Sequence, residues 1–167
     1  MPVSTAANSE TFKVTTTSDT DVCLTRLFDA PRALVFDAMT KPEHIARWWG
    51  QLGAGYSVPV CEVDLRVGGK WRFVNRHPKG EVAFHGEYRE ITPPDRLVYT
   101  ELMEPYPDGS LVTTTFAEEA GKTRVTVVAS YPSKAIRDMV LASGMERGAA
   151  VSYDRLEEVT HELQVAA

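Results

Sequence analysis

The sequence predicts an α+β domain in which a curved antiparallel sheet surrounds one long C-terminal helix and leaves an internal cavity. Three observations point to this fold. Between Tyr56 and Ser130 apolar residues recur with a period of two, and short turns separate the runs. Helical periodicity flanks this region, in two short segments before it and a long one after it. Small residues such as Ala149 and Ser152 line the long helix, so helix and sheet cannot fill the space between them. The predicted order is one strand, two short helices, six strands and a long helix.

Length and charge narrow the classes of protein that the chain can represent. The 167 residues suit one domain, and we expect a flexible tail over residues 1–10 and a single domain over residues 11–167. The net charge of −5 and the lack of a Lys/Arg run argue against binding to nucleic acid or to an anionic membrane surface. No segment reaches the roughly 18 continuous apolar residues of a membrane span, and the N-terminus lacks a secretory signal. We therefore expect a cytoplasmic protein that does not insert into a membrane.

The two short helices are predicted to form a corner after the first strand. Pro31 is well placed at the first position of a helix, and Thr40 and Glu43 have the spacing of a capping box for a second one. The second helix carries Trp48 and Trp49, of which one could line the cavity mouth or anchor the helix to the sheet. Adjacent helical residues point about 100° apart, so at most one faces the cavity, and the anchor interpretation is favoured.

The strand pattern predicts antiparallel neighbours joined by short turns. The predicted strands cover residues 22–28, 60–67, 70–75, 81–91, 96–103, 110–116 and 123–130. At Gly68-Gly69 a strict two-residue turn would place apolar side chains opposite charged ones. A three-residue turn with a bulge pairs Val67 with Trp71 and Leu65 with Phe73 instead, and we predict that turn.

The C-terminal region predicts two helical segments. Ser133 can cap a segment that carries Ile136 and Met139, and Ser143 with Glu146 repeats the capping-box spacing at the start of the long helix. Charged residues, Glu146 among them, are predicted to face outward. The inward face is predicted to carry Met145, Ala149, Ser152, Leu156, Val159 and Leu163.

Five segments carry a resemblance to a known family. In chain order they are residues 28–32, 41–50, 64–71, 86–100 and 144–156. Together they resemble the activator-of-Hsp90-ATPase-homologue branch of the START-like (Bet v 1-like) superfamily over roughly residues 20–163. The resemblance implies the helix-grip fold with its internal cavity. At Ala149 relatives usually carry a bulky aromatic residue, which implies either extra room at the middle of the long helix or a neighbour that fills it.

The candidate site residues are those placed toward the predicted cavity. Core packing is the alternative for aromatic members such as Trp71 and Phe73, although in this fold lining and packing overlap. The ligand-binding candidates are Trp49, Trp71, Phe73, His85, Tyr99, Glu101, Phe116, Met139, Met145, Ala149 and Tyr153.

Three polar residues, His85, Glu101 and Arg26, are the only candidates for catalysis, and exposure or a satisfying neighbour is the commoner state of such residues. Acid–base chemistry would need His85 and Glu101 to meet inside the cavity. The sequence contains no nucleophile elbow, Walker loop, dinucleotide fingerprint or zinc-protease motif, so no catalytic residue is assigned and no cofactor is expected. The four histidines lack metal-ligand spacing, so no metal is expected either.

The function favoured by these features is the binding of a hydrophobic small molecule, as a carrier or a sensor. The first alternative is an enzyme of the cyclase, aromatase or hydrolase kind that uses polar cavity residues. The second is a chaperone-interacting module, which is ranked last because the chain has no added partner-binding region. The pattern leaves a homodimer open.

Overall fold

The structure is a computed structural model that describes residues 12–166, so the predicted tail over residues 1–10 lies outside the described residues. Eight strands form the sheet: β1 Phe12–Thr15, β2 Asp21–Phe28, β3 Ser57–Val63, β4 Lys70–His77, β5 Gly80–Thr92, β6 Arg96–Met103, β7 Ser110–Glu119 and β8 Lys122–Ser130. The helices are α1 Arg32–Thr40, α2 Pro42–Trp48, α3 Lys134–Ala142 and α4 Met145–Ala166.

The sheet is antiparallel throughout, in the order β1-β2-β8-β7-β6-β5-β4-β3. The predicted α+β class and its long C-terminal helix are therefore confirmed. Strand β1 is an addition to the predicted order, because Phe12 and Val14 supply too short a pattern to be recognised. Helix α3 starts as predicted, since the Ser133 hydroxyl accepts a hydrogen bond of 3.2 Å from the backbone N–H of Ile136.

The predicted turn at Gly68-Gly69 is wrong. Val63 pairs with Trp71 and Cys61 pairs with Phe73, so the register differs by four residues from the predicted one. The glycines lie in a turn over residues 66–69, where Gly69 N–H donates to Arg66 O at 2.8 Å, but this turn belongs to the loop and is held against β5, because Gly68 N–H donates to Tyr88 O at 2.8 Å. Since four is an even number, Cys61 and Val63 still face inward as predicted.

Leu65 and Val67, the other two members of the predicted inward row, belong to the loop over residues 64–69. Their side chains are 41% and 66% exposed. The alternation of apolar and polar residues therefore continues beyond the end of β3 into a segment that is a loop and not a strand.

Both predicted capping boxes are wrong. Thr40 is the last residue of α1, where its hydroxyl donates to Phe36 O at 2.8 Å, and no side chain caps α2. Ser143 follows α3 and donates to Val140 O, and the chain then turns at Gly144 with a φ of +83°. Glu146, predicted to face outward, is buried.

The inward face of α4 is as predicted. Ser152, Leu156 and Val159 are buried, and Met145, Ala149 and Leu163 are half-buried. Polar contacts tie this helix to the segment after α2: Gly50 N–H donates to Ser152 Oγ at 3.2 Å and Arg155 Nε donates to Gln51 O at 2.6 Å. The other side of Gly50 is held by the sheet, because Asn75 Nδ2 donates to Gly50 O at 2.9 Å.

The apolar core consists of two clusters. The first cluster is large and lies between α1, α4 and strands β1, β2, β7 and β8; the second contains Ile45, Trp71, Phe73 and Tyr88. Three half-buried side chains contact both clusters, namely Trp49, Ile91 and Tyr99. A domain commonly has one main core and a smaller satellite cluster, and these three side chains connect the two.

Candidate ligand site in the divided core

Aromatic rings occupy the boundary between the two clusters. Trp49 makes edge contacts with Phe73 and Phe84, with ring centroids 5.2 and 5.5 Å apart. Tyr99 makes edge contacts with Trp71 at 5.8 Å and with Tyr88 at 6.0 Å. We call the inner surface between the clusters the central gap and define it by Trp49, Phe84, Tyr99, Glu101 and Tyr131.

Glu101 is the acidic group of the central gap. It lies on the same face of β6 as Tyr99 and pairs in register with the buried Ser110 of β7. Burial raises the pKa of its carboxyl to about 7, and no basic side chain among the described residues forms an ion pair with it. The side chain is nonetheless half-buried, so it is surrounded by protein and still has accessible surface. That combination is typical of a residue on a cavity wall.

Tyrosines surround this carboxyl from three elements. Burial raises the pKa of Tyr99 on β6, of Tyr131 after β8 and of Tyr153 on α4, and the nearby charge of Glu101 raises all three further. The three phenols therefore stay neutral at physiological pH. They offer hydroxyls and ring faces to whatever occupies the space beside Glu101.

Polar atoms in the interior lack hydrogen-bond partners at three described positions. They are Trp71 Nε1, Thr114 Oγ1 and Glu146 Oε2. The Trp71 indole N–H lies over Gly86, where a β-carbon would come within 2.6 Å of the nitrogen and 1.7 Å of Thr100 O. Glycine at position 86 is therefore required for this placement of the indole. Unpaired buried groups of this kind cost about 1–3 kcal/mol each, so they favour a partner from outside the chain.

Most of the predicted ligand-binding residues lie on the inner side of the fold. Trp49, Tyr99 and Glu101 line the central gap. Trp71 and Phe73 belong to the second cluster, while Phe116 and Tyr153 are buried in the first and Met145 and Ala149 pack against it. Trp48 is the anchor of α2, because its Nε1 donates to Ala38 O at 2.9 Å and its ring contacts Tyr153.

His85 lies on the outer face of the sheet, so it cannot line an internal cavity. It pairs with Arg72 across β4 and β5, and its Nδ1 lies 3.1 Å from Glu104 Oε2. Arg72 donates two hydrogen bonds to the same carboxylate, at 2.9 and 3.0 Å. Since His85 and Glu101 are on opposite faces of the sheet, the predicted basis for acid–base chemistry between them is wrong.

Two open depressions lie beside this ion-pair group on the outer face. They have volumes of about 580 and 480 Å³ and share Arg72 and Glu104. Neither is the predicted internal cavity. The larger one is lined by Glu62, Val63, Asp64, Lys70, Trp71, Arg72, His85, Gly86 and Glu104.

Arg26 is a structural link between the sheet and α4. It is 6% exposed, and its guanidinium lies 2.8 Å from Asp154 and 3.5 Å from Glu157. It also stacks over the Phe28 ring, 5.0 Å from the centroid. The guanidinium is fully engaged by these contacts within the fold, so Arg26 is not a catalytic candidate.

Met139 is wrong as a ligand-binding candidate. Its side chain is 70% exposed on α3, because the face of that short helix turned to the protein is the one that carries Arg137 and Ile136. An isolated exposed methionine is ordinary surface.

Three inner residues escaped the sequence reasoning. Phe84 could have been found because it alternates with Gly86 and Tyr88 along β5. Tyr131 could have been found because it continues the buried row of Val127 and Ala129 beyond the end of β8. For Glu146 no signal was available, since an acidic residue in a first helical turn normally faces solvent.

No group of three His, Cys, Asp or Glu side chains in residues 12–166 is arranged to hold a metal ion. No helix in that range is long and apolar enough to cross a membrane.

Comparison with known families identifies the group to which this architecture belongs. Residues 29–161 match the family described as Activator of Hsp90 ATPase homolog 1-like protein. The chain is a member of that family. No curated protein gives a significant match.

Solved structures of related proteins agree with this membership in the Activator of Hsp90 ATPase homolog 1-like family. A protein from Rhodobacter sphaeroides is 25% identical with a TM-score of 0.84, covering 92% of this chain and 99% of its own. One from Nitrosomonas europaea is 25% identical with a TM-score of 0.79, covering 89% and 98%. An HSP90 activator from Plasmodium falciparum is 25% identical with a TM-score of 0.52, covering 67% and 73%.

Proposed function

We propose that the protein binds a hydrophobic small molecule in the central gap, as a carrier or a sensor. The observation that carries this proposal is the division of the core, with half-buried Trp49 and Tyr99 between the clusters. Aromatic side chains left partly accessible inside a domain are an unfavourable arrangement unless something apolar covers them. A ligand that removes about 300 Å² of apolar surface from water gains roughly 7 kcal/mol, which corresponds to a dissociation constant of about 10 μM before the costs of association are subtracted.

Ala149, on the long helix, is consistent with a ligand in the central gap because its side chain is small. It is half-buried on the inward face of α4 and packs at the edge of the first cluster. Its methyl group leaves room that a larger side chain would take. The residue therefore offers a direct way to close the central gap.

A second candidate is an enzyme that uses Glu101 as an acid or base. A carboxyl with a pKa of about 7 exchanges protons readily near neutral pH, and Tyr99 and Tyr131 lie close to it. The proposal of simple binding ranks higher because His85 and Arg26 supply no second catalytic group there. A chaperone-interacting role ranks last and rests only on the family and on the HSP90 activator from Plasmodium falciparum.

The test uses N-phenyl-1-naphthylamine, a neutral apolar dye whose fluorescence rises in apolar surroundings. Titration into the wild-type protein should give saturable binding at one site per chain. The Ala149→Trp variant should lose this binding, because the indole fills the central gap. Absence of saturable binding to the wild type would overturn the proposal.

The matched control is Val151→Trp, two residues along the same helix. Val151 is 38% exposed, so the added ring points to solvent and dye binding should persist. The smaller change Ala149→Leu should weaken binding and preserve folding if the tryptophan variant fails to fold. Equal binding by the variants at positions 149 and 151 would place the dye elsewhere and contradict the proposal.

A further inference from the structure

We propose that the ligand of the central gap carries a basic nitrogen, and that the carboxyl of Glu101 pairs with it. This inference rests on the proposed function and adds the chemical class of the ligand. It would make the protein a binder of aromatic or otherwise apolar amines, as opposed to fatty acids or neutral hydrocarbons.

The first argument is the lack of a protein partner for Glu101. Among residues 12–166 the carboxyl accepts no hydrogen bond and forms no ion pair, and burial raises its pKa. Three other carboxylates of the sheet or its loops have the partner that Glu101 lacks: Glu104, Glu90 and Glu119 are each paired with an arginine. A buried carboxyl is stabilised by a cation with which it can form a hydrogen bond, and the chain does not supply one.

The second argument is the balance of charge inside the fold. Two arginines are buried in the described part of the chain, and both are occupied. Arg26 pairs with Asp154 and Glu157, and Arg137 binds the backbone oxygens of Ser18 and Asp21 and the carboxylate of Asp138.

Glu146 is a second acidic residue that no basic side chain pairs with among the described residues. It is 7% exposed on the first turn of α4, and its Oε2 has no hydrogen-bond partner. Neither buried arginine is available to Glu101, so an anionic ligand would meet the unopposed like charge of this carboxyl in the central gap, whereas a cationic one would be complementary.

The third argument is the aromatic surroundings. Tyr99, Tyr131 and Tyr153 all lie close enough to Glu101 to respond to its charge, and they come from three different elements. Aromatic faces attract cations through the ring quadrupole, and this attraction is strongest when water is excluded.

The experiment compares three probes that share one ring: 1-naphthylmethylamine, 1-naphthalenemethanol and 1-naphthoate. Each competes with N-phenyl-1-naphthylamine for the wild-type protein at pH 7.5. The amine should bind roughly ten-fold or more tightly than the alcohol, and the carboxylate should bind most weakly. In the Glu101→Gln variant the ratio of amine to alcohol affinity should collapse towards one.

The matched control is Glu104→Gln, which removes a carboxylate three residues further along the chain on the outer face. The ratio should stay at its wild-type value in this variant. Calorimetry in buffers of different ionisation enthalpy gives a second readout. At pH 6 the amine should release a proton from the wild-type protein, because the cation favours the ionised form of Glu101, and this release should be absent in Glu101→Gln.

The outcomes separate this inference from the proposed function. Equal affinity for amine and alcohol, or a ratio unchanged by Glu101→Gln, overturns the assignment of an amine while binding in the central gap stands. Failure of the amine to compete with a dye that does bind overturns it as well. If neither the dye nor the three probes bind, the proposed function and this inference both fall.

Discussion

Two similar carboxyls near β6 have opposite environments on the inner and outer faces of the sheet. On the outer face Glu104 accepts two hydrogen bonds from Arg72 and contacts His85, and these contacts lower its pKa. On the inner face Glu101 has no such partner, and burial raises its pKa to about 7. The chain completes the outer group by itself and leaves the inner one incomplete. Of these two carboxyls, only Glu101 is therefore free to pair with a bound ligand.

The largest effect is expected from Glu101→Gln. The folded-state pKa of Glu101 is about 7 against an ordinary 4.5, so the wild-type protein loses stability as the pH rises from about 4.5 to 7. Glutamine carries no such penalty. The variant should therefore be more stable than the wild type by roughly 1–3 kcal/mol at pH 8, with the gain vanishing near pH 4. Urea denaturation at the two pH values measures this, and a gain independent of pH would contradict it.

A smaller effect of opposite sign is expected from Glu104→Gln. Hydrogen bonds from Arg72 lower the pKa of Glu104, so its carboxylate contributes stability at neutral pH, and this contribution is lost as the pH falls through that lowered pKa. The variant should be slightly less stable than the wild type at pH 7 and equal to it in strong acid. The same denaturation series decides the matter. If both glutamine variants shift stability in one direction, the contrast between the two faces is wrong.

The smallest effect is expected from His85→Ala. The side chain is 43% exposed, and its contact with Glu104 is a surface contact that Arg72 also satisfies. The free energy of unfolding should change by no more than about 0.5 kcal/mol, and dye binding in the central gap should be unaltered. A clear loss of dye binding would return His85 to the ligand site and contradict its placement on the outer face.

Period-two alternation explains which parts of this contrast were accessible from the sequence. It correctly places Tyr99 and Glu101 on one inner face of β6, because residues two apart in a strand point the same way. The same parity puts His85 on the face opposite Phe84 and Gly86. The pairing of His85 with Arg72 across β4 and β5, which the pattern of one strand does not reveal, fixes that face as the outer one.

Other features depend on contacts that no local pattern contains. Leu65 and Val67 continue the alternation of β3 although the backbone at Gly68 and Gly69 is already bonded to β5. The burial of Glu146 follows from how α4 is seated in the fold, which an acidic residue in a first turn does not reveal. The fold class, the apolar inward face of α4 and three of the five residues of the central gap could thus be predicted, whereas register and unpaired polar groups required the tertiary structure.

The hydrogen bonds of Gly50 hold the sheet and the long helix at a fixed distance beside the central gap. One side of this residue is bonded to β4 through Asn75 and the other to α4 through Ser152, so the spacing of sheet and helix is fixed beside Trp49. The width of the central gap beside Trp49 is therefore set by two hydrogen bonds of a residue that does not itself line it.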